Sequence, residues 1–83
     1  MTREAIEQKL IGEVATILGL DPGDVRTDAT LESLGLESMG FVEILVFVEK
    51  TFGFSLIDSD LRREDFETVG ALAGRIQSHV PAP

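Results

Sequence analysis

Cysteine is absent from this 83-residue chain, which excludes disulfide bonds, thiolate zinc ligands and a cysteine nucleophile. Basic residues are scarce: 7 lysines and arginines stand against 15 acidic residues, so the formal net charge is −8. Nucleic-acid binding needs clustered lysine and arginine to neutralise phosphates. The charge therefore argues against a nucleic-acid partner and favours basic protein partners.

Long apolar runs are also missing. The longest stretch, residues 41–48, is interrupted by Glu43 and is far shorter than the ~20 residues that a membrane helix needs. The charged first ten residues lack the apolar centre of a secretory signal. We therefore expect a soluble, cytoplasmic monomer with no membrane span.

The chain length predicts one small domain, residues 1–83, with little room for a deep catalytic cleft. The hydrophobic fraction of 43% is high enough to offset the entropy of folding, so disorder is not expected. Folding then depends on packing alone, because no disulfide or thiolate metal site is available.

Helical spacing of apolar residues predicts an all-α fold. The first helix spans 3–18, with Thr2 as N-cap and Gly19 as a left-handed stop. The second spans 39–52; alternating β-branched residues leave a strand as the competing prediction there, but length and spacing favour a helix. A short third helix is expected over 58–66 and a fourth over 68–80, capped by Thr68. Together they predict a small four-helix bundle with a long loop, 19–37, between the first two helices.

Apolar residues recur at intervals along that loop, and this pattern predicts that the loop packs against the core. They are Leu20, Val25, Leu31, Leu34 and Leu36. A loop of this length in a compact domain is usually functional.

Ser38, where the loop meets the second helix, is the main candidate functional residue. Serine is a preferred N-cap, and taken alone a serine at a helix start is more often only a cap. Its surroundings favour more. No lysine or arginine lies between Arg26 and Lys50, whereas five acidic residues do: Asp28, Glu32, Glu37, Glu43 and Glu49. A solvated helix face is the common explanation of such a run, but unopposed charge also favours docking of basic partners.

Two further features single out this end of the second helix. The helix is apolar over most of its circumference, which is typical of a buried helix. Because a bundle this small cannot cover every face of the helix, we expect Met39, Val42 and Val46 to be exposed. A helix N-terminus also stabilises an attached anion, although Glu37 opposes a phosphate ester on Ser38 locally.

The segment Leu34-Gly35-Leu36-Glu37-Ser38-Met39 resembles the Leu-Gly-x-Asp-Ser-Leu signature of the acyl carrier and peptidyl carrier protein family. The following VEILVFVEKTFGFSL is similar to that family's second helix, and the resemblance extends from the first helix to 66–69. It implies a non-enzymatic carrier whose serine, here Ser38, receives a 4′-phosphopantetheine arm from coenzyme A. The thiol of the arm then holds an acyl or aminoacyl group as a thioester.

The resemblance also implies the partners and their contacts. They are a phosphopantetheinyl transferase, a loading ligase or acyltransferase, and synthase or transferase enzymes of fatty-acid, polyketide or related biosynthesis. By analogy Glu37, Glu43 and Glu49 pair with basic residues of these enzymes, and Met39, Val42 and Val46 make apolar contacts beside the arm.

Departures from the signature bear on the pathway. Glu37 replaces the usual aspartate and Met39 the usual leucine, and Phe41 is bulkier than the residue usually found there. Three further positions are basic where fatty-acid carriers are often acidic: Lys50, Arg62 and Arg63. The chain is therefore more similar to discrete carriers of specialised pathways, including D-alanyl and polyketide types. The cargo stays open.

Three rival interpretations compete with the carrier. An esterase is disfavoured because Leu36 replaces the first glycine of a nucleophile elbow and no strand precedes it. A calcium loop from Asp58 fails because its sixth position is Arg63 and its twelfth Val69. We thus predict no catalytic residue and no metal site. The third rival, an unmodified acidic interaction adaptor, needs no role for Ser38 and remains open.

Overall fold

The computed structural model describes residues 2–53, 55–56 and 63–79, and the regular structure among them is helical. Three α-helices, in chain order α1, α2 and α3, span Arg3–Leu18, Ser38–Phe52 and Val69–Gln77, and two short 3-10 helices span Pro22–Asp24 and Arg63–Phe66. The described residues contain no strand beyond one isolated antiparallel bridge between Thr30 and Thr68. The predicted all-α class is confirmed.

Helix α1 has the predicted bounds and ends. The Thr2 side chain accepts a hydrogen bond from the Ala5 N–H at 3.1 Å. At the other end Gly19 is left-handed, with φ of 70°. The Leu20 N–H donates to the Ala15 carbonyl at 2.9 Å, which is the 6→1 bond of a Schellman stop.

Helix α2 occupies the segment for which a strand was the alternative. It begins at Ser38, one residue before the predicted start, and ends at Phe52. Gly53 follows with φ of 82°, and its N–H donates to the Glu49 carbonyl. The apolar residues of 41–48 therefore follow helical spacing rather than alternating across a sheet.

The predicted four-helix count is not confirmed. Most of the short third helix predicted over 58–66 falls on residues outside those described, and its described end, Arg63–Phe66, is a 3-10 helix. Helix α3 is shorter than predicted. Thr68 precedes it as N-cap, accepting from the Ala71 N–H at 3.0 Å, and the helix ends at Gln77.

The core lies where α1 packs against α3 and α2. Helix α3 contributes four buried residues, each with an exposed fraction of 1% or less: Val69, Leu72, Ala73 and Ile76. From α1 the core takes Ile6, Leu10, Ile11, Val14 and Ala15, and from α2 it takes Ile44 and Val48. No helix in the described part of the chain has the length and apolar character that crossing a membrane demands.

The long loop packs against this core, as its apolar residues predict. Val25, Leu31 and Leu36 are buried and Leu34 is half-buried. The prediction for Leu20 is wrong: its side chain, which follows the left-handed Gly19, is exposed. Main-chain hydrogen bonds fix the loop to the start of α3. The Leu31 N–H donates to the Glu67 carbonyl at 2.8 Å and the Gly70 N–H to the Thr27 carbonyl at 3.0 Å.

Gly40 lets the loop approach α2 closely. A Cβ at this position would lie 2.5 Å from Leu36 Cδ1 and 3.0 Å from Leu36 Cγ, and Leu36 is buried, so it has little room to move. Gly12, in the middle of α1, has nothing within 4 Å of an added Cβ.

We predict opposite effects of the same substitution at these two glycines. Gly40→Ala lowers the free energy of unfolding by about 1–3 kcal/mol, because the methyl group overpacks the contact with Leu36. Gly12→Ala raises it by about 0.5–1 kcal/mol through the better helix propensity of alanine. Urea titration measures both values. A gain in stability from Gly40→Ala would contradict the close approach.

Candidate functional site

Ser38 is the first residue of α2, not its N-cap. The predicted cap role is wrong because the residue before it, Glu37, occupies that position with extended backbone (φ −99°, ψ 176°) and no side-chain capping bond. The Glu37 carbonyl accepts the first intrahelical hydrogen bond, from the Phe41 N–H at 3.1 Å. The backbone N–H groups of Ser38, Met39 and Gly40, which precede Phe41, therefore have no acceptor within the helix.

The Ser38 hydroxyl is available for chemistry. Ser38 is exposed, and within the part of the chain that the structure describes its side chain makes no hydrogen bond. A capping serine would hold its oxygen against a backbone N–H, whereas this oxygen faces solvent beside the positive end of the helix dipole.

The loop that leads into Ser38 is locally rigid. The Leu36 N–H donates to the Leu31 carbonyl at 3.0 Å and the Leu34 N–H to the same carbonyl at 3.1 Å. Gly35 between them has φ of 103°, a conformation that residues with a Cβ rarely adopt. Since Leu31 and Leu36 are both buried, the turn places Ser38 at a defined point of the surface.

A groove of about 340 Å³ runs past Ser38 and includes residues that the sequence did not reveal. Its described lining is Thr30, Glu32, Ser38, Phe41, Phe66 and Glu67. Phe66 and Glu67 reach the site because Leu31 pairs with Glu67 across the chain, a contact between residues far apart in sequence. No pattern in the sequence predicts that pairing, so the sequence alone could not identify Phe66 and Glu67 as residues of the groove.

The six residues predicted to contact partners are all exposed. The exposed fraction of the side chain is 71% for Met39, 50% for Val42 and 45% for Val46, and Glu37, Glu43 and Glu49 are exposed as well. Two shallow grooves flank α2. Glu37, Met39 and Glu43 line the one near Leu36, and Val42, Glu43 and Val46 line the one beside Lys50.

Glu49 lies outside both grooves. The expected exposure is confirmed for Met39, Val42 and Val46, whereas contact of any of the six residues with a partner stays a prediction. Within residues 2–53, 55–56 and 63–79 no cluster of histidine and acidic side chains could hold a metal ion.

Comparison with known proteins identifies the family. Residues 8–76 match the family profile described as a phosphopantetheine attachment site. The chain is 33% identical to an acyl carrier protein of Onion yellows phytoplasma over 75 residues, covering 89% of this chain and 96% of that protein. It is 28% identical to a D-alanyl carrier protein of Leuconostoc citreum, covering 89% of this chain and 95% of the relative.

A third relative is much larger. A non-reducing polyketide synthase of Aspergillus calidoustus is 33% identical over 69 residues, which are 83% of this chain but 3% of the synthase. The chain therefore matches whole discrete carriers but only a small part of this synthase.

The geometry suits the group that the family carries. An exposed hydroxyl without a hydrogen bond among the described residues is accessible to a modifying enzyme, and the unpaired N–H groups of the first helical turn favour an anion there. The family's cofactor, 4′-phosphopantetheine, is covalently attached, and carriers of this kind work with synthase and transferase enzymes. The chain belongs to the phosphopantetheine-binding carrier family, with an acyl or related carrier role.

Proposed function

We propose that Ser38 is the residue to which the 4′-phosphopantetheine arm is attached. One observation carries the proposal: the Ser38 hydroxyl is exposed and unbonded within the described residues, at the first position of α2. In the attachment step the Ser38 oxygen would lose its proton and form a phosphoester bond with the pantetheine-bearing phosphorus of coenzyme A, while the pyrophosphate bond to that phosphorus breaks and adenosine 3′,5′-bisphosphate leaves. The phosphate would then sit beside the free N–H groups of the helix start.

The chain would act as a carrier and as the substrate of its partners rather than as an enzyme. It contains no cysteine, so a thioester needs the thiol of the arm. We propose that this thiol holds an acyl intermediate of fatty-acid, polyketide or related biosynthesis, on a single carrier domain spanning residues 1–83 that works as a monomer in the cytoplasm. The match to the D-alanyl carrier supports an aminoacyl cargo as the second candidate.

Partner enzymes would dock on the exposed side of α2. Glu37, Glu43 and Glu49 present carboxylates to basic partner residues, and Met39, Val42 and Val46 present apolar surface between them. An apolar patch with a charged rim is the usual composition of a protein interface. The basic residues at 50, 62 and 63 support a specialised pathway, served by a phosphopantetheinyl transferase and a loading ligase or acyltransferase of its own.

The attachment residue is tested by intact mass after incubation with coenzyme A and a broad-specificity phosphopantetheinyl transferase. We expect the wild-type chain to gain the mass of one arm and Ser38→Ala to gain none. Ser33→Ala, which removes an exposed serine of the loop that precedes α2, should be modified like the wild type. Modification of Ser38→Ala would contradict the assignment, and an unmodified wild type would favour the acidic adaptor.

The electrostatic part of docking is tested by removing single charges. Glu43→Gln should lower kcat/KM for arm transfer by about two- to five-fold at low salt. Glu4→Gln removes the same charge from the first turn of α1 and should leave kcat/KM nearly unchanged. Raising the salt concentration to about 0.5 M should reduce the difference between the two variants, since screening is stronger there. Equal effects of both substitutions would show that only net charge matters.

The rigid approach to Ser38 is tested at two left-handed glycines. Gly35→Ala and Gly53→Ala each force alanine into a positive φ, of 103° and 82°, and each should cost about 1–2 kcal/mol of stability. Only Gly35→Ala should also slow arm transfer, because Gly53 lies at the far end of α2. Denaturant titration and the time course of mass gain measure the two effects. Unaltered transfer by folded Gly35→Ala would contradict a role of the turn in placing Ser38.

A further inference from the structure

Met39 carries the only sulfur atom that the sequence contains beyond its first residue. The chain has no cysteine and two methionines, of which the other is Met1. The Met39 side chain is 71% exposed, a larger fraction than that of the other exposed large apolar residues described, Leu20, Val42 and Val46. Dissolved oxidants therefore reach its thioether without any opening of the fold.

Met39 also lies where an enzyme that modifies Ser38 has to bind. It follows Ser38 directly in the first turn of α2. Its side chain lines a shallow groove of about 270 Å³, whose described lining also includes the apolar residues Ile17 and Leu36. Because the two residues are adjacent, an enzyme that brings the arm to the Ser38 hydroxyl covers part of this apolar surface.

We propose that Met39 is an oxidation site, and that conversion of its thioether to the sulfoxide hinders attachment of the arm at Ser38. The inference rests on the proposed function, because attachment is the step that it regulates. The oxidant is a hydroperoxide. With hydrogen peroxide, one oxygen atom bonds to the Met39 Sδ as the O–O bond breaks, the sulfur loses two electrons and the peroxide is reduced to water.

The modification is reversible, as a regulatory site requires. Methionine sulfoxide reductases return the sulfoxide to the thioether, one enzyme for each of the two sulfoxide epimers. Two thiols supply the electrons and become a disulfide, and the oxygen atom leaves as water. Oxidation of Met39 therefore delays attachment of the arm without removing the chain from use.

The effect on docking follows from the polarity of the added oxygen. In the free chain the exposed sulfoxide stays in water, so oxidation costs the fold nothing. Docking removes that water, and a buried oxygen without a hydrogen-bond donor costs free energy. The thioether is instead apolar and flexible, and it adapts to the shape of the surface that covers it. Oxidation of Met39 therefore weakens docking and leaves the fold intact.

The unmodified chain is the form that this reaction regulates. It contains no cysteine, so no thiol of its own competes with Met39 for the oxidant. Once the arm is attached, its terminal thiol becomes the more reactive sulfur. An oxidised chain then stays without an arm until it is reduced, so new arms are not exposed while peroxide is present.

The main test measures arm transfer before and after oxidation. Unmodified protein is treated with hydrogen peroxide, the excess is removed, and peptide mass mapping verifies the added oxygen on Met39. Coenzyme A and a broad-specificity phosphopantetheinyl transferase then give kcat/KM. We expect a loss of about three- to ten-fold, mainly through KM, because the sulfoxide is dehydrated on docking. Methionine sulfoxide reductases A and B with dithiothreitol should restore the original value.

Two variants separate Met39 from oxidation elsewhere. Met39→Leu keeps Met1, and its kcat/KM should be the same before and after peroxide. Met39→Leu/Leu20→Met moves the internal methionine to an exposed position that lies outside the described lining of both grooves beside α2. Peroxide should not change the kcat/KM of this double variant either. A loss in either variant equal to that of the wild type would overturn the inference.

The remaining outcomes are also decisive. The urea midpoint of the wild type should be the same before and after oxidation, and a lower midpoint would assign the loss to unfolding and contradict a docking effect. Unchanged kcat/KM with the sulfoxide present on Met39, or no sulfoxide there after treatment that oxidises Met1, would overturn this inference alone. An untreated wild type that gains no arm would overturn the proposed function and this inference with it.

Discussion

The site depends on the main-chain pairing of the long loop with the start of α3. The Leu31 N–H bonds to the Glu67 carbonyl and the Gly70 N–H to the Thr27 carbonyl, and the Thr30–Thr68 bridge lies between them. Without these bonds the segment before Ser38 would be an unrestrained connection with polar backbone to satisfy. With them, the buried side chains of Leu31 and Leu36 hold the loop on the core, and the start of α2 is fixed.

This constraint leaves the Ser38 side chain without a structural role at the start of α2. Because the turn at Gly35 and the close contact of Leu36 with Gly40 already determine where α2 begins, the helix does not need Ser38 as a cap. Glu37 takes the cap position without a side-chain bond, so capping energy of about 1 kcal/mol is forgone. The hydroxyl and the first-turn N–H groups are left open to solvent, which a carrier with an attached phosphate can use and a purely structural helix start would not.

Local periodicity was enough to predict most of the helices, and non-local contacts account for what it missed. The bounds of α1, the left-handed stop at Gly19 and the exposure of Val42 and Val46 all follow from residue types within one or two turns. The groove does not, because Phe66 and Glu67 are brought to Ser38 by main-chain pairing between segments that are 36 or more residues apart in sequence. The N-cap error at Ser38 has the same origin: the start of α2 is set by tertiary packing at Leu36 rather than by the preferred capping residue.

The acidic surface imposes two opposing demands on the same helix end. In the proposed carrier, the carboxylates of Glu37 and Glu43 would attract basic partners, yet Glu37 would also repel a phosphate on the adjacent Ser38. Both demands are met if the helix dipole and unpaired N–H groups offset the repulsion in the free carrier, and basic partner residues neutralise carboxylate and phosphate together in the complex. The covalently attached arm would then make weak non-covalent contacts with the isolated chain and stronger ones with its partners. A carrier that must hand its cargo from one enzyme to the next requires that order of affinities, because an arm bound tightly to its own bundle would have to be released at every encounter.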